Sequence, residues 1–152
     1  MDIYQLPLQL RWADFDANLH VRHSVYYDWG ALCRISFMQK MGLHESVYQQ
    51  FQIGPILFRE ESRFKREIRM GDQIVIDLTL LQARSDFSRW TIQHTLWKGE
   101  NEVAALLTVE GAFIDLKLRK LAIPPPIAQT VFSQMPRATE FQWIDKGVGA
   151  NR

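Results

Sequence analysis

Apolar and polar positions alternate under changing rules along the chain, and each rule predicts a different element. Over residues 6–12 the two kinds mix as in a short strand, with Pro7 near its start and an end near Asp14. From Ser24 the period lengthens. Val25, Tyr26, Trp29, Leu32, Cys33, Phe37 and Met41 recur at helical spacings, and Ile35 and Met38 extend the apolar surface round the circumference. A helix apolar on most sides is buried on most sides. Ser24 is the expected N-cap, Asp28 brings negative charge to the positive end of the dipole, and Gly42 suits the left-handed position that closes a helix.

Residues 53–115 read as strands. In ILFREESRFKREI, Phe58 and Phe64 share parity with Glu60 and Ser62, which predicts one face of aromatics with a carboxylate and a hydroxyl between them and another carrying Arg59, Arg63 and Lys65. Met70-Gly71-Asp72 breaks this run, and Ile74, Ile76, Leu78 and Leu80 alternate as a half-buried antiparallel strand. Arg84-Ser85-Asp86 leads to a strand over 87–97, Lys98-Gly99-Glu100-Asn101 makes a turn, and 103–115 form a last long strand. IPPP at 123–126 stops the sheet, 127–132 predict a brief helix, and the remainder is weakly patterned. One strand, one buried helix and four antiparallel strands predict an α+β fold in which a single sheet curls round a single helix.

Composition narrows the setting. At 152 residues and 47% hydrophobic, the chain suits one globular domain with a real core. Lysine and arginine total 18 against 17 acids, so charge gives no reason to expect a nucleic-acid or membrane partner. Cys33 has no second cysteine to pair with, and MDIYQLPLQL lacks a basic segment followed by a long apolar run, so a cytoplasmic location is expected.

The densest chemistry is RWADFDANLHVRHSVYYDWG, residues 11–30. Asp14, Asp16, His20 and His23 are suitable metal-ligand types, but their spacing fits no metal motif and neither CxxC nor HExxH occurs, so no metal is expected. Asp14 and Asn18 read as turn residues that bond nearby amides, with His20 exposed. Asp16 differs because it lies in the connection that feeds the start of a buried helix, where unpaired amides gather positive potential. A carboxylate there can act as general base or nucleophile on a carbonyl whose developing oxyanion those amides hold.

A D-x-D run followed by a histidine, a valine and a tyrosine-rich helix, with Gly71-Asp72 after a charged strand, resembles the hotdog-fold acyl-CoA thioesterases of the 4-hydroxybenzoyl-CoA thioesterase type over about residues 6–123, leaving 124–152 as a tail. The resemblance implies an acyl-CoA substrate, no cofactor, Asp16 as the catalytic carboxylate and a carbonyl-polarising amide near His23. It also implies that two subunits join their sheets edge to edge with active sites at the interface, and a homodimer or dimer of dimers is expected. Arg84, with Ser85, matches the nucleotide-contacting turn of that family, with Arg63 and Lys65 as alternatives. Tyr26 and Ser62 complete the candidate substrate contacts. This chain departs from the family in Leu19, where glycine is common, and in Arg22 and His23, where two asparagines are frequent. A related dehydratase branch pairs a histidine with a helix carboxylate, here Asp28 with His20 or His23. The rival to hydrolysis is a non-catalytic module that binds an acyl thioester or another apolar ligand. Glu60, or Glu61 if the strand is bulged, is the candidate to order water near Asp16. His94 reads as a core or interface histidine, and Cys33 as a small buried hydrophobe.

Overall fold

The computed structural model describes residues 2–145. After β1 (Gln5–Leu8) and a 3-10 turn over Trp12–Asp14 come α1 (His23–Lys40), α2 (Glu45–Phe51), β2 (Ile53–Phe64), β3 (Ile74–Asp77), β4 (Thr79–Ala83), β5 (Arg89–Lys98), β6 (Glu102–Asp115), β7 (Lys120–Leu121), α3 (Pro126–Ser133) and β8 (Arg137–Trp143). The class is α+β, as expected. α1 touches β1, β2, β3 and β6, and Val25, Tyr26, Trp29, Cys33, Phe37 and Met38 are its buried residues. Gly42, at φ +98°, closes it: Leu43 N donates to Met38 O at 2.8 Å and Gly42 N to Gln39 O at 3.1 Å.

Across the sheet the order is β2, β6, β5, then β3 and β4 end to end, with β1 outside β3 and β8 outside β4. The alternating run from Ile74 to Leu80 was expected as one strand and is two. The cause is Asp77, whose carboxylate accepts from Thr95 N at 2.7 Å and from Trp97 Nε1 at 3.0 Å, so a side chain takes the place of a ladder bond. A second departure is a bulge in β2 between Leu57 and Arg59. The bulge shifts parity by one residue. Phe58 therefore leaves the face of Glu60 and Ser62 and stacks beneath the Arg89 guanidinium, 5.1 Å from the ring centroid.

Three elements were not anticipated, the two-residue β7, α2 and β8. α2 is too short to show a period, and β8 lies in the supposedly unpatterned tail, pairing parallel to β4. Between β6 and β8, α3 buries Phe132 against Phe87, Trp90 and Phe113. Among the described residues β2 pairs on one side only. No helix there is long and apolar enough to cross a membrane.

Candidate active site

The two aspartates of the D-x-D run have different environments. Asp14 is fully buried, and its carboxylate accepts from Arg11 N at 2.9 Å and Arg11 Nη2 at 2.7 Å. Burial alone would raise its pKa, but the hydrogen bonds from Arg11 outweigh that and hold it below the ordinary aspartate value. Its backbone carbonyl accepts from Arg22 N at 2.8 Å, which ties the start of α1 to this buried anchor. Asp16 is exposed. One oxygen, Oδ1, accepts from Asn18 N at 2.8 Å and His20 N at 3.2 Å, which fixes the carboxylate and leaves Oδ2 without a protein donor among the described residues.

The loop that carries Asp16 is a tight one. Asp16 N donates to His20 O at 2.9 Å and Leu19 N to Asp16 O at 3.0 Å, and Leu19 sits at φ +62°. That is the left-handed region a glycine adopts freely. This chain thus follows the backbone path that glycine would allow, with a leucine in place.

α1 begins one residue before the expected cap. Arg22 holds the N-cap position and no side chain caps the helix, whereas Ser24 lies inside the first turn. The amides of His23 and Ser24 precede the first intrahelical bond and face outward with the positive end of the dipole. Asp16, His23 and Tyr26 line one hollow of 330 Å³, with Phe64, Lys65 and Arg66 on its other wall. Tyr26 is buried, with Phe64 edge-on at 4.9 Å between centroids, and burial pushes its hydroxyl up to about 12. It is a neutral phenol at physiological pH, able to donate a hydrogen bond but not to act as a base.

Of the remaining candidates, Ser62 stands two residues before Phe64 on the same face, and its Oγ is buried without a partner among the described residues. Glu60 faces α1 but pairs with Arg34 at 3.6 Å, while Glu61 binds Arg59 and Arg63 on the outer face. Asp28 lines a different depression, beside Arg11 and Leu32, so no histidine–carboxylate pair forms with His20 or His23 in the hollow. His20 meets Glu67 at 3.1 Å.

Arg84 and Ser85 are not gathered into this hollow. They precede β5, whereas Lys98 at its far end reaches the wall of the hollow through Glu67 O at 2.9 Å. The ten-residue β5 puts about 30 Å between them at a rise of about 3.3 Å per residue. Ser85 is also engaged, donating its amide and hydroxyl to Asp145 Oδ1 at 2.8 and 3.0 Å. Near the hollow, by contrast, Lys65, Arg66, Arg69 and Lys98 form a basic cluster around Glu67. Arg66, Arg69 and Lys98 each have an acidic partner, and Lys65 has none among the described residues. Among the described residues no group of three metal-ligating side chains converges.

Sequence reasoning passed over Arg34. The His94 side chain, fully buried, donates from Nδ1 to Asp77 O at 2.9 Å, since a carbonyl can only accept, and its Nε2 accepts from Arg34 Nη1 at 3.0 Å. Gly30, one turn before Arg34, makes room: a Cβ there would lie 3.2 Å from Nη1 and 3.4 Å from the imidazole. His94 is the core histidine anticipated. The signal for Arg34 was a cation one residue after Cys33, next to the buried stripe of Cys33, Phe37 and Met38 rather than at the polar end of the helix with Gln39 and Lys40.

A hypothetical protein from Staphylococcus aureus, solved in complex with CoA, superposes with a TM-score of 0.83 over 91% of this chain and 87% of that one, at 16% identity. A 1,4-dihydroxy-2-naphthoyl-CoA thioesterase from Synechocystis superposes at 0.78 over 90% and 99%, at 19% identity. A DHNA-CoA thioesterase from Staphylococcus aureus gives 0.77 over 88% and 91%, at 15% identity. No curated protein matches the sequence. At these identities the superpositions speak for the fold, an antiparallel sheet curled on a long helix in the hotdog manner. The sequence model of the thioesterase-like superfamily matches residues 10–131, which is most of the chain and includes the Asp16 loop, the whole of α1 and strands β2 to β7, so the protein belongs to the thioesterase-like superfamily of hotdog proteins.

Proposed function

We propose that the protein hydrolyses acyl-CoA thioesters to the free acid and CoA, with Asp16 as general base or nucleophile and the α1 amides around His23 as oxyanion hole. The observation that carries this reading is the meeting of an anchored carboxylate, one oxygen still without a protein donor, and an uncapped helix start in a single hollow. In the general-base route Oδ2 takes a proton from water as it attacks the thioester carbonyl. In the covalent route Oδ2 attacks directly and water then opens the acyl-enzyme anhydride. Either way, negative charge develops where the amides and dipole favour it, and CoA leaves as the thiol once protonated. Tyr26 lines the hollow where the acyl group would begin, and Ser62, two residues before Phe64 on the same face of β2, lies behind that wall. The CoA-complexed and CoA-thioesterase neighbours support the substrate class.

The CoA phosphates need cations, and two sets are available. Lys65 and Arg66 border the hollow in the same chain, whereas Arg84 is about 30 Å away and could serve only a second copy's site. A dimer or dimer of dimers, joined through the unpaired side of the twelve-residue β2, is the arrangement in which both contribute. The non-catalytic alternative drew its support from Leu19. Because Leu19 keeps the positive φ of a glycine, that support is weakened.

Asp16→Asn tests the proposal on a panel of acyl-CoAs. Hydrolysis should fall by about 10²- to 10⁴-fold with the fold intact, while Asp14→Asn should reduce stability more than turnover. Wild-type turnover in the Asp16 variant would end this mechanism. In a single turnover in ¹⁸O-water, label in the Asp16 carboxylate marks the covalent route with water opening the anhydride at the aspartyl carbon, because general-base attack labels only the product acid.

A further inference from the structure

Trp12 opens the turn that ends in Asp14, and its side chain is 79% exposed. The turn that presents it is rigid. Asp14, fully buried, is gripped by Arg11 N at 2.9 Å and Arg11 Nη2 at 2.7 Å, and Asp14 N donates back to Arg11 O at 2.9 Å. Trp12, Phe15, Leu19 and Met70 are the apolar walls of a depression of 380 Å³ whose lining also includes His20 and Arg69. Leu19 stays 61% exposed at φ +62°, where glycine would relieve the strain, and its side chain is a wall that glycine could not supply.

This depression is the last of three that adjoin. The hollow that holds Asp16 shares Lys65, Arg66 and Glu67 with the basic cluster, and the cluster shares Arg69 with the depression. Glu67 is met from two sides, by His20 at 3.1 Å and by Arg69 at 3.0 Å, while Lys65 has no acidic partner among the described residues and is left for an anion. A thioester in the hollow, phosphates over the cations and a flat ring against Trp12 follow one another along a single kind of molecule. We propose that Trp12 stacks on the adenine of acyl-CoA, with Leu19 and Met70 packed at its edge, and that the phosphates cross the cluster between Lys65 and Arg69. Four residues separate Trp12 from Asp16, at most about 14 Å of chain, so the longer CoA handle folds round the cluster to reach it. The acyl group is the poorer occupant. Asp16 does not line this depression, and a chain laid on so exposed an indole would stay half in water, whereas a nucleobase stacks with one face covered. This inference rests on the acyl-CoA reading above, though not on hydrolysis.

The test titrates the full chain with CoA, and with pantetheine, which lacks the nucleotide, by calorimetry and by indole emission. A stacked adenine quenches the indole it covers. CoA should therefore quench the wild-type emission and bind Trp12→Leu about tenfold more weakly, the lower range for one base on one aromatic ring. Trp12→Phe should keep most of the affinity and lose the quench, and pantetheine should treat all three proteins alike and quench none. The proposal is overturned if CoA leaves the wild-type emission unchanged, if the quench survives in Trp12→Leu, or if that variant binds CoA as the wild type does. Equal losses on CoA and pantetheine would overturn it too, by making the ring structural. So would a Trp12→Leu protein that falls apart by light scattering with its CoA affinity unchanged, since the ring would then be a contact between copies. The two readings fail separately. CoA binding through Trp12 without hydrolysis of any acyl-CoA ends the enzyme and keeps the adenine site, and hydrolysis by a protein whose CoA affinity ignores Trp12 does the reverse.

Discussion

Lowering the pH from 7.5 to 5 should remove about 2 kcal/mol of folding stability through His94 alone. The side chain is fully buried, between a carbonyl that requires Nδ1 to carry the proton and an arginine that requires Nε2 to accept. Burial, then the neighbouring Arg34 charge, drives its pKa down to about 3, against 6.5 for the free side chain. Between those values the unfolded chain binds a proton that the folded one refuses. Stability is therefore complete above about pH 6.5 and falls as the pH drops towards 3, by about 1.4 kcal/mol per unit once well below 6.5. The window from 7.5 to 5 avoids most carboxylate titration, which is why the figure of about 2 kcal/mol applies there. Urea unfolding followed by tryptophan fluorescence provides the assay. With a slope of roughly 2 kcal/mol per molar, the wild-type midpoint should fall by about 1 M more than that of His94→Gln, which retains His20, His23 and His44. Equal pH dependence in the two proteins would refute a neutral, locked His94, and with it the acceptor role of its Nε2 toward Arg34.

Other outcomes follow from geometry already described. Leu19→Gly should stabilise the fold by about 0.5–1 kcal/mol, the steric relief at φ +62° less the added freedom of glycine, and urea midpoints will report it. Gly111→Ala should destabilise by about 1–3 kcal/mol in the same assay, since its methyl would overlap the Trp90 ring and the Ile56 carbonyl. Arg84→Ala and Lys65→Ala should each raise KM for acyl-CoA with little change in kcat, and the effect should shrink on a pantetheine thioester that lacks the nucleotide phosphates. An equal loss on both substrates would make the residue structural, and no loss on either would remove it from the site.

The parts of this molecule legible in the sequence are those with one dominant physical cause. α1 announces itself because apolar residues from Val25 to Met41 keep a helical period and Gly42 closes it, and the Asp16 loop does so because its residue types and its place before that helix coincide. What escaped had competing causes. The alternation from Ile74 to Leu80 is continuous, and only Asp77, a carboxylate that displaces a ladder bond, marks the break. The bulge at Phe58 leaves no pattern of its own, yet it takes Phe58 off the face that Glu60, Ser62 and Phe64 keep. β8 has little apolar alternation because it is an edge strand with most of its residues exposed. The turn chemistry of Arg84 and Ser85 is local and legible, whereas their distance from Asp16 within one chain is a property of the whole sheet.

The placement of β1 and β8 beside the two halves of the broken strand also sets an order for folding. Gln5–Leu8 emerges first and must wait for Ile74–Asp77 before it has a partner, and Thr79–Ala83 must in turn wait for Arg137–Trp143. Both waits are long in sequence, and contacts between distant segments slow folding because the loop must close before the contact rewards it. During synthesis the chain would therefore hold a nearly complete central sheet, β2 with β6 and β5, while one margin stayed unfinished and the Phe87 ring lacked Phe132 and Trp143. That interval is the time of greatest exposure to chaperones, to proteases and to misassembly with other nascent chains. Until Arg137–Trp143 has cleared the ribosome, the sheet stays unfinished along the margin that this last strand completes.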